Sequence, residues 1–159
     1  MRAWINPGVR LGALLLCACL ALLDAPSAVA EARIALVIGN SNYGAPMGTL
    51  KNPANDARLI TKSLQGVGFR VTTLLDADQR EMKRAISDFG GAVSEAGSSA
   101  VALFFYAGHG IQVDGVNYLV PVGARIERKG DVDLEAIEAE ALLKQLEYAG
   151  AGVNGMELT

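Results

Sequence analysis

The sequence predicts an α/β domain built as three layers around a mainly parallel sheet. Two apolar runs, 34–38 and 101–106, suit strands buried on both faces. Between them, two stripes at helical spacing flank a segment rich in β-branched residues. The order is therefore strand, helix, strand, helix, strand, which calls for right-handed crossovers and a parallel sheet.

Residues 1–30 stand outside that count. Arg2 and Arg10 give a basic start, 11–23 is an uninterrupted apolar run, and Ala28-Val29-Ala30 supplies small residues after Pro26. This reads as an export signal cut after Ala30, placing the remainder, 31–159, in the periplasm or outside the cell. An uncleaved anchor and a lipidated Cys19 are the alternatives, but the run falls short of the roughly 20 residues that span a bilayer. No stable membrane insertion is expected after cleavage.

The first strand, 34–38, is bounded by Gly39, and a polar loop, 40–51, leads to Asn52-Pro53, a helix-start signal. Ala57, Ile60 and Leu64 give that helix its inner face, and Gly66 and Gly68 stop it. Residues 69–75, with Val71, Thr72 and Thr73, favour the second strand. Met82, Ile86, Phe89 and Val93 then form the stripe of a helix laid on a sheet. After the third strand, 111–113 and 116–119 flank Asp114-Gly115, a pair suited to a tight hairpin. Leu134, Ile137, Ala141, Leu142 and Leu146 mark a third helix, with Asp133 and Glu135 near its start and Gly150 at its end. Residues 153–159 are short and interrupted by glycine, so the last core strand is expected to be incomplete. The edge beside 101–106 would then be exposed and prone to aggregation.

Removing 1–30 takes Arg2, Arg10 and Asp24 from 14 basic and 17 acidic side chains, leaving 12 and 16 and a net charge of −4. That balance argues against phosphate-backbone binding, which needs a concentrated basic surface. Both cysteines, Cys17 and Cys19, also leave, so disulfides and cysteine-based zinc sites are excluded from the remainder. Asp114, Asp131 and Asp133 form no compact oxygen-ligand motif. Neither a metal nor another cofactor is assigned.

In open parallel sheets the binding crevice lies at the carboxyl ends of the strands. The loop 40–51 and the tripeptide Gly108-His109-Gly110 both fall there. An imidazole in that place can act as general acid or base near neutral pH, and flanking glycines let the backbone turn sharply and approach a ligand. A histidine that merely caps a strand is the plainer alternative.

The string Phe104-Phe105-Tyr106-Ala107-Gly108-His109-Gly110-Ile111-Gln112, followed by Asn117-Tyr118-Leu119-Val120-Pro121, resembles the histidine block of caspase-like peptidases, especially bacterial metacaspase-type members. Ala35-Leu36-Val37-Ile38-Gly39-Asn40 and 50–57 resemble that family's first strand and first helix, in the expected order. The resemblance runs from about Arg33 to Asn154. It implies a caspase-like sandwich and a cysteine endopeptidase acting on peptide or protein substrates. His109 would pair with a cysteine after the next strand, and the Gly110 amide would help hold the oxyanion. A thiolate activated by imidazole, with amides aimed at the tetrahedral oxygen, is sound chemistry.

The sequence departs from the family pattern near Gly155, with no Asp-Ala-Cys motif and no Ser after Ser99 to replace the thiol. As written, the domain is expected to be a C-terminally truncated and inactive peptidase. In metacaspase-type members an Asp at the position of Asp56 helps form a pocket for Arg or Lys; a solvated helix-start carboxylate is the other reading. Ala107 stands where those members have a serine, a departure from the pattern of that pocket. A secreted, non-catalytic peptide-binding module, walled by 40–51 and 111–119, is the alternative function. A hydrolase pairing His109 with Asp56 is the third reading.

Overall fold

Six of the seven residues of β1 (Arg33–Gly39) are buried, because this apolar strand is paired on both sides and covered on both faces. In the computed structural model, which describes residues 31–45, 47–148 and 152–158, β1 pairs in parallel with β4 (Arg70–Leu75) on one side. On the other it pairs in parallel with β5 (Val101–Ala107). Beyond β5 lies β9 (Gly152–Leu158), also parallel, giving the order β4-β1-β5-β9. The expected parallel α/β sheet is present.

The alternation of β1 divides the core. Ile34, Leu36 and Ile38 join Met82, Ile86, Phe89 and Val93 of α2 (Gln79–Ala96), with Leu142 and Leu146 of α4 (Ala139–Tyr148). Val37 turns the other way, with Phe105, toward Ala57, Ile60 and Leu64 of α1 (Pro53–Gly66). Each such side chain, fully buried, contributes roughly 1.5–3 kcal/mol. The three layers are thus those that the helical stripes anticipate. A Cβ on Gly39 would come within 2.6 Å of both the Ala57 Cβ and the Pro53 carbonyl. The glycine lets α1 start against the end of β1.

Local signals explain the helix ends. Gly68, at φ +87°, closes α1, with its N–H on the Gln65 carbonyl and the Phe69 N–H on the Leu64 carbonyl, a Schellman pairing. The Asp78 carboxylate accepts the Glu81 N–H at 2.8 Å, and Glu81 returns the favour to the Asp78 N–H at 3.0 Å. This reciprocal capping box starts α2.

Three expectations change. The polar loop 40–51 contains a short ribbon, β2 (Asn42–Gly44) against β3 (Gly48–Thr49). The third helix is divided: a 3-10 turn (Lys129–Asp131) runs into α3 (Val132–Glu135), and Ala136 takes an extended conformation. Then β8 (Ile137–Glu138) pairs with Leu119 and Tyr118 before α4 begins. Strand pairing overrides the helical spacing there, burying Ile137 while Leu134 stays 73% exposed. Finally, a strand forms beside β5 despite its glycines. β9 runs seven residues along β5, from Gly152 beside Val101 to Leu158 beside Tyr106, accommodating an irregularity between Ala102 and Phe104. The edge of β5 is thereby covered.

The Asp114-Gly115 hairpin forms as expected. β6 (Gly110–Val113) and β7 (Val116–Leu119) are joined by two residues at φ +50° and +85°, as a type I′ turn requires. No helix among the described residues is long and apolar enough to cross a membrane. The expected export segment 1–30, the helix end at Gly150 and Thr159 lie outside the described residues.

Candidate active site

The order of the sheet sends its connections from β1 and β5 in opposite directions, the arrangement that opens a crevice at the carboxyl ends of neighbouring strands. The loop after β1 begins with Asn40, and the loop after β5 is Gly108-His109. They are joined at once, since the Asn40 N–H donates to the Ala107 carbonyl at 2.9 Å.

His109 is held from several directions. Its N–H donates to the Tyr43 hydroxyl at 2.8 Å, and its carbonyl accepts the Val120 N–H at 3.0 Å. The Tyr106 hydroxyl lies 2.8 Å from the Val120 carbonyl and 3.0 Å from that of His109. Carbonyls only accept, so the Tyr106 proton is directed toward them. The contact of 3.1 Å between the two phenols is then made by the Tyr43 proton. The result is a directional chain from His109 N–H through Tyr43 and Tyr106 to the Val120 carbonyl. Burial pushes both phenols above their ordinary pKa, more so for Tyr106, where the adjacent Tyr43 adds to it. Both therefore remain protonated donors at neutral pH.

The imidazole itself lies against Tyr43, with ring centroids 4.5 Å apart and planes inclined by 55°. Its Nε2 is buried, with no hydrogen-bond partner among the described residues. No carboxylate among the described residues pairs with it.

Beneath this loop, Asn40 is wholly buried. Its Oδ1 accepts the Ala77 N–H at 2.9 Å, while Nδ2 lies 3.3 Å from the carbonyls of Ala77 and Val120. Asn40 thus ties together the segments that follow β1, β4 and β7. Asp76, at φ +53°, accepts the N–H groups of Ser41 and Asn42 at 2.7 and 2.9 Å and the Asn42 side-chain amide at 2.8 Å. Desolvation would raise its pKa, but these three donors together hold it below the usual carboxylate range. Sequence reasoning missed Asn40, Tyr43, Asp76 and Tyr106 as organising residues. Their signal was thin, since Tyr106 reads as the end of an apolar strand and the other three as loop polarity.

Gly110 opens β6 and is exposed, beside a hollow of about 260 Å³ lined by Tyr106, Gly108, Ile111 and Tyr118, among others. A larger hollow of about 420 Å³, between β4 and α2, includes neither His109 nor Gly110. Asp56 is exposed in the first turn of α1, a helix anchored near the loop by the Ala54 N–H donating to the Ser41 hydroxyl at 3.1 Å. Among the described residues, no hydrogen bond or ion pair links Asp56 with His109.

Comparison with known proteins agrees with this architecture. The family model described as the caspase domain matches residues 32–149. Over 126 residues the sequence is 30% identical to the mucosa-associated lymphoid tissue lymphoma translocation protein 1 of Homo sapiens. It is 29% identical over 126 residues to the Mus musculus homolog. Each alignment covers 79% of this chain and 14% of the relative, so the chain spans a small part of the length of the curated relatives it matches.

Proposed function

The chain belongs to the caspase domain family of peptidases, and on that footing we propose that residues 31–159 carry the histidine side of a cysteine-type endopeptidase centre. The observation that supports this most is the place of His109 at the carboxyl end of β5, on a loop fixed by two phenols, with its Nε2 unpartnered among the described residues. In the proposed reaction a cysteine thiol gives its proton to His109 and the thiolate attacks the peptide carbonyl. The Gly110 amide is one donor to the resulting oxyanion. Collapse forms a thioester and releases the amine, protonated from the imidazolium. Water then hydrolyses the thioester and regenerates the thiol.

Residues 31–159 contain no cysteine. On this reading they supply the base and an oxyanion donor, and by themselves do not cleave peptides. Residues 1–30 are proposed to direct export, with cleavage after Ala30 and a periplasmic or extracellular location. Asp56 is proposed to favour Arg or Lys at the cleaved position. Its place at the carboxyl edge of the sheet and its negative charge support that role. The thiol-free sequence also supports a second reading, a secreted module that binds peptides without cleaving them.

The test uses the full chain with Cys17 and Cys19 replaced by serine. Peptides with Arg or Lys at the scissile position should bind, perturb the NMR signals of His109 and bind more weakly to Asp56→Asn, with no hydrolysis. Hydrolysis abolished by His109→Ala in this cysteine-free protein would overturn the thiol requirement. Failure of any peptide to bind would overturn both readings.

A further inference from the structure

We propose that Tyr43 and Tyr106 are positioning residues for His109, orienting it through an aromatic face and a hydroxyl relay in place of a carboxylate partner. This rests on the reading of His109 as a base, because a base needs its ring fixed relative to the group it deprotonates. A hydrogen-bonded third group commonly does that. Among the described residues, Nε2 has no hydrogen-bond partner and no carboxylate pairs with the imidazole. The ring instead meets the tilted face of Tyr43, at 4.5 Å and 55°, within the geometry aromatic pairs prefer.

Tyr43 holds the same residue twice, since its hydroxyl also takes the His109 N–H at 2.8 Å. Tyr106 completes the hold by receiving the Tyr43 hydroxyl at 3.1 Å and passing its own proton to the Val120 carbonyl at 2.8 Å. Tyr43 is the buried centre of β2, with Asn42 and Gly44 exposed on either side. Asp76 pins the amides of Ser41 and Asn42 just before it. The small ribbon thereby becomes the mount for the residue that faces His109. Gly108 completes the fit, because a Cβ there would collide with both phenol hydroxyls.

The chain has a single histidine, so its imidazole signals are unambiguous in NMR spectra of the full chain. Tyr43→Phe keeps the ring and removes the hydroxyl. It should preserve the ring-current shifts of His109 while its amide exchanges roughly fivefold faster, as loss of one hydrogen bond implies. Tyr43→Leu removes the ring as well, and should move the imidazole signals toward those of free histidine. Tyr106→Phe should speed exchange of the His109 amide without removing the ring-current shift. An unchanged amide exchange rate in Tyr43→Phe overturns the relay, even if Tyr43→Leu fails to fold. Unchanged imidazole signals in a folded Tyr43→Leu overturn the aromatic contact. None of these readouts needs a substrate or a thiol. If they come out as expected while peptides fail to bind, the positioning role stands and the peptidase reading falls.

Discussion

A methyl group on Gly108 has no room, because its Cβ would lie 2.5 Å from the Tyr106 hydroxyl and against that of Tyr43 as well. The same methyl on Gly110 would meet its nearest neighbour, the Tyr118 carbonyl, at an ordinary 3.6 Å. Neither glycine is among those with positive φ. The conformational freedom that the sequence suggests for both is thus not their reason, which for Gly108 is the close approach of two phenols. Gly108→Ala should cost about 1–3 kcal/mol through the forced displacement, and Gly110→Ala no more than about 0.5 kcal/mol. Chemical denaturation of the two variants checks this, and equal costs would contradict the packing described. At this scale the sequence revealed His109 and its place but not what surrounds it. The partners come from positions 43, 106 and 120, and only the folded sheet brings them together.

Elements were legible wherever local and tertiary preferences agree. The stripe Met82, Ile86, Phe89 and Val93 is buried throughout α2, and Asp114-Gly115 turns the β6–β7 hairpin. They disagree at 134–138, where spacing favours a continuous helix but pairing of β8 with β7 extends the backbone at Ala136. Leu134 and Ile137, both counted to the same apolar stripe, consequently part company. Ile137→Ala should cost about 2–4 kcal/mol, as large-to-small changes in a core do. Leu134→Ser should stay within roughly 0.5 kcal/mol because that side chain is already in solvent. Thermal or urea unfolding separates these outcomes, and a continuous helix would make both changes costly. β9 is the other element that local reasoning undervalued. Gly152 and Gly155 weaken its strand propensity, yet the open side of β5 supplies a parallel partner along its length.

At the scale of residues 31–158, the carboxyl edge of the sheet is lashed by polar groups rather than by core packing alone. Asp76 reaches from the end of β4 to the amides that follow β1, so its ionisation links the candidate site to stability. Its folded pKa is lowered, against an unfolded value of about 3.9. The sign follows from proton linkage: above the unfolded value the carboxylate contributes its full stabilisation, which fades as pH falls through the lower folded value. Asp76→Asn tests this cleanly, since Asn also tolerates the positive φ of that position. At neutral pH the variant should be less stable by about 1–2 kcal/mol, allowing for solvent screening of a partly exposed group. Melting curves of the two proteins should then converge as pH drops below the ordinary carboxylate range. A difference that persists undiminished to roughly pH 2 would mean that the charge of Asp76 is not what secures the loop after β1, and the hold on Tyr43 would have to come from the ribbon alone.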